Sequence, residues 1–354
     1  MRKYYIDNIR WISILILLPY HTCMIYNNWG ENFYVKSYGI SVLSDFIQIC
    51  SPWFMPLLFV IAGISSCYAL DRRTPKQYIK ERVYKLLVPL ISGILLLVPI
   101  QTFYAEKFHN GYNSGYFNQY ILFFTKKTDL TGATGGFTPA QLWFILYLFI
   151  ISLLALPIAI KYKSSHKKIP IDKLSVFKLI PLFLIFGVMT FILNIGGKSL
   201  GEYFALFMLG YLILSEDKIQ ERLDENRWYL FSGFVVLTAL NLFLQNVWNL
   251  NFGIGYDIFY RFLSWIGILS IIGIGRNYLN FNNKVTNYFT KASFPIYIFH
   301  QSFLVLTAYY VLEITSSIFL QVTFIILGSF ILTMLTYEIF KRISITRFLF
   351  GIKK

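Results

Sequence analysis

Charged side chains are scarce in this chain, because Asp, Glu, Lys and Arg make up only 14% of its 354 residues. Soluble domains carry about 25% charged residues, so an ordinary soluble protein is excluded. Hydrophobic residues instead make up 56% of the chain, the mean hydropathy is +0.57, and apolar segments of membrane-spanning length recur throughout. We therefore expect an all-α polytopic membrane protein.

Cysteine is also rare. Three cysteines, Cys23, Cys50 and Cys67, lie in or beside apolar segments, and neither a CxxC pair nor a cluster of His and Cys accompanies them. Cysteines in such positions typically act as small buried hydrophobic residues. Because the pattern of a metal site is missing, we expect no bound metal.

Acidic residues are outnumbered, with 17 against 32 basic residues and a net charge of +15. The hydrophobic pattern predicts about ten transmembrane helices, over residues 9–27, 45–70, 84–105, 140–161, 175–194, 199–215, 228–248, 256–274, 290–311 and 317–341. With the N-terminus in the cytoplasm, the cytoplasmic segments and helix ends hold 25 of the 32 basic residues. That asymmetry is the positive-inside pattern. It predicts two cytoplasmic termini, a single membrane domain over residues 1–354, and no nucleic-acid partner.

The longest segment between predicted helices is residues 106–139, with "HNGYNSGYF" and "TDLTGATGGFTP". Its Gly, Asn and Thr content predicts an irregular outer loop, either covering an outward-facing site or serving as a plain connector. No internal repeat of the kind found in secondary transporters is visible, which disfavours a transporter without excluding one.

Two ionisable side chains lie in the first predicted helix, within "IRWISILILLPYHTCMIYN" (9–27). Arg10 and His21 are eleven residues apart, which places them on one helix face about 16 Å apart along the axis. Charges inside a span are costly, so each is a candidate functional residue. Two structural alternatives stay open: Arg10 is an interface cation paired with Asp7, and His21 is a packing histidine.

A second intramembrane histidine, His300, lies in "KASFPIYIFHQSFL" (291–304). Counting from Lys291 places it about 13 Å into its helix, at a depth comparable to that of His21. Since imidazole titrates near neutral pH, two histidines at one depth could form a proton relay. Whether their helices touch cannot be predicted from one sequence.

Further polar residues lie at both membrane faces. Asp45, Glu202, and Asp257 with Arg261 occur at predicted outer helix ends. The last two match an ion pair within one helix; the alternative is a polar mouth for a hydroxylated acceptor. On the cytoplasmic side, residues 71–85 hold six cations, which suits a positive-inside loop or a site for a polyanion such as the phosphates of coenzyme A.

Seven stretches, in order and over nearly the whole chain, resemble the acyltransferase 3 family of integral membrane acyltransferases. They are "YIDNIRWISILILLPYH" (5–21), "FMPLLFVIAG" (54–63), "KERVYKLLVP" (80–89), "LWFILYL" (142–148), "EYFALFMLGYLI" (202–213), "ASFPIYIFHQSF" (292–303) and "YEIFKRISITRFLF" (337–350). Arg10 and His21 have the family's spacing of an arginine and a histidine separated by ten residues. The chain looks nearest to the branch that includes periplasmic-glucan succinyltransferases. It departs from the family at two places. Ala62-Gly63-Ile64 stands where the family often has Ser-Gly-Phe, and Lys85, three residues after Arg82, stands where the family often has a second arginine.

The resemblance implies that cytoplasmic acyl-CoA, as acetyl-CoA or succinyl-CoA, acylates a hydroxyl of a glycan or similar acceptor at the outer face of a bacterial inner membrane. It implies that Arg10, Arg82 and Lys85 bind the donor phosphates, although Lys85 lacks the bidentate geometry of arginine. The pantetheine arm would reach towards His21 as general base, with His300 as the second candidate for proton handling.

Two other classes remain open from the residues alone. A proton-coupled transporter or flippase of a polar small molecule or lipid would use His21 and His300 for proton coupling, but gives no reason for the dense basic loop. A signalling membrane protein without chemistry leaves Arg10 and His21 unexplained. The acyl group, the acceptor and the oligomeric state are not predicted.

Overall fold

A computed structural model describes residues 3–128, 131–166, 169–250 and 253–353, and helices dominate it. The α-helices are α1 (Tyr4–Met24), α2 (Ser41–Cys50), α3 (Phe54–Leu70), α4 (Pro75–Arg82), α5 (Val88–Leu96), α6 (Val98–Asn110), α7 (Tyr116–Thr125), α8 (Trp143–Ser164), α9 (Val176–Leu179), α10 (Phe183–Met189), α11 (Leu200–Leu209), α12 (Asp217–Glu225), α13 (Arg227–Asn246), α14 (Ile254–Tyr278), α15 (Lys284–Ile314), α16 (Ile318–Phe340) and α17 (Ser344–Leu349). The chain also forms π-helical turns at Val83–Leu87 and Gly210–Leu214, 3-10 turns at Ala140–Leu142, Ile171–Lys173 and Ile180–Leu182, and an antiparallel pair of β1 (Asn194–Ile195) with β2 (Lys198–Ser199). The prediction of an all-α protein is confirmed.

The observed helices lie where the hydrophobic pattern predicts them. Seven stretches of the described residues are long and apolar enough to cross a membrane: Ser41–Leu70, Pro75–Asn110, Ala140–Ser164, Arg227–Asn246, Ile254–Tyr278, Lys284–Ile314 and Ile318–Phe340. Helix α1 overlaps the first predicted span but is not one of these seven, and the shorter apolar stretches Val176–Met189 and Leu200–Leu214 overlap the fifth and sixth. The count of ten and the cytoplasmic placement of both termini stay predictions.

Residues 106–139 were predicted to be irregular, and that prediction was wrong for part of the segment. Helix α6 continues to Asn110, where the left-handed Gly111 (φ +62) ends it, and α7 follows. Within α7, Gln119 and Phe123 lie four residues apart on a buried face. The spacing of a buried helix face is therefore present in the sequence. It was missed because the helix is short and lies between stretches rich in Gly, Asn and Thr, which indicate irregular structure.

The chain folds as two compact units. The first comprises Met1–Ser13, Gln48–Arg82 and Tyr147–Thr290, and the second comprises Ile14–Ile47, Val83–Leu146 and Lys291–Lys354. Helices α1, α2, α8 and α15 each contribute residues to both units.

In the first unit, α3 packs against α11 and the π-helical turn that follows it, while α12 and α13 pack on α14. The contact of α3 is backbone to backbone. A methyl group on Gly63 would overlap the carbonyl oxygen of Phe207, and one on Gly210 would overlap the carbonyl oxygen of Val60. Glycine is therefore required at both positions by the close approach of the chains.

In the second unit, a core of aromatic and aliphatic side chains surrounds the non-helical segment that follows α1. Phe33, Tyr34 and Val35 of this segment are buried in that core. The segment folds back on the end of α1, because the backbone N–H of Ser37 donates to Ile25 O at 2.9 Å. This return of the chain is what brings Phe33 beside α1.

Candidate active site

Arg10 belongs to the first unit, and its side chain is partly buried. Its Nη1 donates to Asp7 Oδ1 at 3.0 Å, and its Nη2 donates to Ser65 Oγ on α3 at 2.6 Å. The contact with Asp7 matches the interface alternative raised by the sequence, whereas the bond to Ser65 ties the cation to another helix. Ser65 lines a cavity, so one hydrogen bond connects Arg10 to the wall of that cavity.

The cavity has a volume of about 660 Å³ and contains both basic and acidic side chains. It is lined by Lys3, Ser65, Tyr68, Ala69, Asp71, Arg72, Arg73 and Asp217. Lys3 contacts Asp217, and Arg73 Nε lies 3.0 Å from Glu81 Oε2. Arg72 is exposed, and its guanidinium has no hydrogen bond or ion pair within the described part of the chain. Such a guanidinium can engage an anionic ligand, phosphate above all, without first breaking an internal pair.

The two predicted donor-binding residues of the basic loop fall in different units. Arg82 ends α4 in the first unit, with its guanidinium carbon 4.4 Å from the ring centroid of Tyr78. Its Nε is buried and has no hydrogen-bond partner among the described residues, a costly state that an anionic ligand would relieve. Lys85 lies half-buried in the π-helical turn Val83–Leu87 of the second unit, and π-helical turns are frequent at functional sites.

The two intramembrane histidines both belong to the second unit and lie against each other. The ring centroids of His21 on α1 and His300 on α15 are 5.4 Å apart, with 28° between the ring planes. Phe33 stacks on the His21 ring at 6.0 Å. His300 is fully buried, whereas His21 is partly accessible. The equal depth counted from the sequence is therefore accompanied by direct contact.

The hydrogen bonds of His300 decide which of its nitrogens carries the proton. Its Nδ1 lies 2.8 Å from Tyr297 O and 3.2 Å from Ile296 O. Since a carbonyl oxygen only accepts, the neutral ring carries its proton on Nδ1 and has a free lone pair on Nε2. That Nε2 is buried without a partner among the described residues, as is Nδ1 of His21. Two adjacent imidazoles with unused nitrogens can take up and pass on a proton.

Buried polar side chains that the sequence analysis missed contact this part of α15. Gln101 Nε2 donates to Gln141 Oε1 and to Ser302 Oγ, both at 2.9 Å. Gln141 Nε2 donates to Ile298 O at 3.0 Å, and Ser302 Oγ donates to Leu97 O at 2.9 Å. The sequence does carry a signal for both glutamines, because "VPIQTF" and "PAQLWF" each place an amide in an apolar run.

Three of the four predicted acceptor-binding residues come together in the first unit. Arg261 Nη2 lies 3.6 Å from Glu202 Oε2, its Nη1 lies 3.9 Å from Asp257 Oδ1, and its Nε donates to Thr190 Oγ1 at 3.0 Å. Thr190 Oγ1 donates to Glu202 Oε2 at 2.8 Å. The fourth, Asp45, is half-buried in the second unit. Across the described residues, no group of three or more His, Cys, Asp or Glu side chains could hold a metal ion.

The sequence matches one family model and several curated proteins along nearly its whole length. The acyltransferase 3 model, described as an acyltransferase domain, matches residues 3–338. The proteins named "Glucans biosynthesis protein C" of Salmonella schwarzengrund (strain CVM19633), Salmonella heidelberg (strain SL476) and Salmonella typhi are each 27% identical over 387 residues, covering 99% of this chain and 94% of theirs. No solved structure matches the chain.

Proposed function

We propose, because the chain belongs to the acyltransferase 3 family of membrane proteins, that it moves an acyl group from cytoplasmic acyl-CoA to a hydroxyl of a cell-surface or extracytoplasmic glycan. Its family and its apolar helices make the chain a multi-pass acyltransferase of the bacterial cell membrane. The donor, the acyl group (acetyl or succinyl) and the acceptor belong to the proposal. The name of its relatives, glucans biosynthesis protein, supports a glucan as acceptor.

The observation that best supports acyl-CoA as the donor is the 660 Å³ cavity of the first unit. Coenzyme A is a polyanion, and its phosphates need cations that are not already neutralised. Arg72 brings a guanidinium without an internal partner among the described residues. Lys3, which contacts Asp217, and Arg10, which contacts Asp7 and Ser65, are already paired and would add phosphate contacts only by sharing or exchanging those partners. Arg82 and Lys85 keep the phosphate-binding roles that the family pattern suggests, and the buried Nε of Arg82 supports its share.

The chemistry requires a base for the acceptor hydroxyl. In the proposed reaction the hydroxyl oxygen attacks the carbonyl carbon of the thioester, the carbon–sulfur bond breaks, and coenzyme A leaves as a thiolate. His21 takes the hydroxyl proton, His300 shares or relays it, and the proton ends on the departing thiolate. The stacking of the two rings and their unused nitrogens support these roles. General-base catalysis of this kind typically contributes 10²–10⁴-fold.

The acceptor side rests on the polar residues at the predicted outer helix ends. Carboxylates accept hydrogen bonds from sugar hydroxyls, and arginine donates to sugar oxygens. Asp45, Glu202, Asp257 and Arg261 are the proposed acceptor-binding residues. Asp257 is the most open of the ion-paired three, with 63% of its side chain exposed, so it can meet a ligand without dismantling the cluster.

The experiment is acyl transfer by the purified chain in proteoliposomes. Release of free coenzyme A thiol is followed with acetyl-CoA and with succinyl-CoA, each with and without a glucan acceptor. We expect acceptor-dependent thiol release with one of the two donors. We expect Arg72→Gln to raise the KM for the donor about tenfold, which is the effect of losing about 1.4 kcal/mol of phosphate binding.

Arg342→Gln is the matched control, because Arg342 is also exposed, does not line the cavity, and loses the same charge. Equal KM values for the two variants would contradict the cavity as the donor site. If neither donor releases thiol while the vesicles accumulate a polar solute in response to a proton gradient, the acyltransferase proposal fails in favour of transport.

A further inference from the structure

A strained residue begins the 3-10 turn Ala140–Leu142, which leads into α8. Ala140 has a φ of +46°, a left-handed conformation that residues with a Cβ rarely adopt. Its backbone N–H donates to Thr138 Oγ1 at 2.9 Å, which helps to hold the turn. Such strain persists only where the surrounding structure fixes it, and it concentrates at functional sites. The residue that the turn presents is Gln141, whose side chain is buried.

Gln141 contacts α15 through two different groups. Its side-chain Nε2 donates to Ile298 O at 3.0 Å, and its backbone carbonyl oxygen accepts from the hydroxyl of Tyr297. Its Oε1 accepts from Gln101, which orients the amide so that Nε2 faces α15. Helix α15 is weakened just before this point, because Pro295 has no backbone N–H to donate. The missing bond is the one from residue 295 to Lys291 O, and Gln141 contacts the turn of α15 that directly follows it.

This turn of α15 also determines which ring nitrogen of His300 carries the proton. Tyr297 O accepts the Nδ1 proton of His300 at 2.8 Å, and the Tyr297 and His300 ring centroids are 6.0 Å apart. A shift of Tyr297 would lengthen that bond and release the ring from the Nδ1–H tautomer. A change of tautomer would place a proton on Nε2 and remove the lone pair described above.

We propose that Gln141 is a positioning residue: the left-handed turn at Ala140 holds its side-chain amide on Ile298 O and its backbone carbonyl on the Tyr297 hydroxyl, and this keeps His300 in the Nδ1–H tautomer with Nε2 free. The effect on turnover rests on the proposed proton-handling role of His300. The effect on the tautomer does not, so the two can fail separately.

The direct test is ¹⁵N NMR of the full chain labelled at histidine, in detergent or nanodiscs. The chain has only four histidines, so His300 can be assigned by comparison with His300→Asn. In the wild type we expect one protonated and one unprotonated ring nitrogen, with the proton on Nδ1. In Gln141→Leu, which has similar volume but no amide, we expect the signals to move towards the other tautomer or an average of the two.

Gln119→Leu is the matched control, because Gln119 is equally buried but its Nε2 donates to Thr102 Oγ1 and not to α15. It should leave the His300 signals unchanged. An unchanged His300 spectrum in Gln141→Leu would overturn the proposal. Should Gln141→Leu not fold, Gln141→Met answers the same question, since methionine has a similar length and no donor for Ile298 O.

The second test measures kcat and the KM for acyl-CoA. We expect Gln141→Leu to lower kcat about tenfold to a hundredfold while the KM for acyl-CoA stays within about twofold, because only the position of a reacting group changes. Ala140→Gly should keep wild-type kcat, since glycine adopts the left-handed turn without strain, whereas Ala140→Val should lose activity as Gln141→Leu does. A wild-type kcat in folded Gln141→Leu would overturn the kinetic role.

Discussion

At the scale of single residues, the two stacked histidines are not equivalent. His300 is fully buried, and its Nδ1 is held on Tyr297 O. His21 is partly accessible, and its Nδ1 has no hydrogen-bond partner among the described residues. Part of the His21 ring can be approached, although its Nδ1 is itself buried, whereas no part of His300 can be approached. This difference favours His21 as the base and His300 as its proton partner.

This difference predicts unequal losses of activity. We expect His21→Ala to lower kcat about 10²–10⁴-fold, as for loss of a general base, and His300→Ala to lower it less. The double variant should be little slower than His21→Ala, because groups that act as a unit are not additive. The measurement is thiol release from acyl-CoA by folded protein in proteoliposomes. Wild-type turnover by His21→Ala would exclude the base role, and fully additive losses would exclude the relay.

Arg261 offers a second test at this scale. Its guanidinium contacts Glu202 and Thr190 in a partly buried site, with 17% of the Arg261 side chain exposed. We expect Arg261→Met to lower the free energy of unfolding by about 1–3 kcal/mol, because Glu202 is left without its cation. Thermal unfolding in detergent measures this loss, and adding Glu202→Gln should recover part of it.

The same variant separates the two interpretations of the cluster. If the cluster also binds the acceptor, the KM for the glucan rises in Arg261→Met while the KM for acyl-CoA stays constant. If the KM for the glucan stays constant and only stability falls, Arg261 is a structural ion-pair residue, and the predicted acceptor role is wrong.

At the scale of helices, the approach of α3 to α11 and the following π-helical turn depends on two glycines. A side chain on Gly63 or Gly210 meets backbone carbonyl oxygens, which cannot move aside as a flexible side chain can. We expect Gly63→Ala and Gly210→Ala each to destabilise the chain by about 3 kcal/mol or more, above the usual cost of overpacking. Thermal unfolding of the purified chain measures the effect.

Gly233→Ala is the control for these variants. Its added methyl group would lie 3.8 Å from Ile266 Cγ2, an ordinary contact. Because alanine is the better helix former, we expect Gly233→Ala to be neutral or to stabilise the chain by up to about 1 kcal/mol. Comparable losses from Gly63→Ala and Gly233→Ala would show that close packing at Gly63 is not what requires glycine.

Helices were the part of the fold that the sequence predicted best. Each predicted span overlaps observed helices, although residues 45–70, 84–105 and 175–194 each contain more than one. Long apolar segments are informative because a helix satisfies all of its backbone hydrogen bonds within one segment. Helix α7 was missed because its apolar run is only ten residues long and lies among turn-forming residues. The need for glycine at Gly63 could not be predicted either, because it comes from contact with the backbone of Phe207, which is far along the chain.

The candidate site was predictable in its residue types but not in its contacts. Costly charges and imidazoles in apolar segments single out Arg10, His21 and His300 from one sequence. The stacking of His21 on His300 depends on how two helices pack, which hydrophobic periodicity does not specify. Arg72 was not singled out among the six cations of its loop, because its lack of an internal partner is visible only when the neighbouring carboxylates are placed.

At the scale of the whole molecule, charge distribution is the strongest argument for how the chain lies in the membrane. Basic residues concentrate in segments that share one predicted side, and the proposed donor cations Lys3, Arg72 and Arg82 lie among them. The positive-inside rule therefore predicts that the proposed phosphate-binding residues lie on the cytoplasmic side, where the proposed donor would be found. The proposed function depends on this agreement, because acyl-CoA is made and kept in the cytoplasm.

The orientation can be tested with single cysteines in a chain whose Cys23, Cys50 and Cys67 are replaced by alanine. Ser114, between α6 and α7, Lys76 in the basic loop and Lys353 near the C-terminus are all exposed. We expect a membrane-impermeant maleimide to label Ser114→Cys in intact spheroplasts, and to label Lys76→Cys and Lys353→Cys only after permeabilisation, because the positive-inside rule places the last two in the cytoplasm. Labelling of Lys76→Cys from outside would put the cavity of Arg72 on the wrong face for a cytoplasmic donor. The acyl-CoA proposal would then fail together with the topology, whereas the stacking of His21 on His300 would be unaffected.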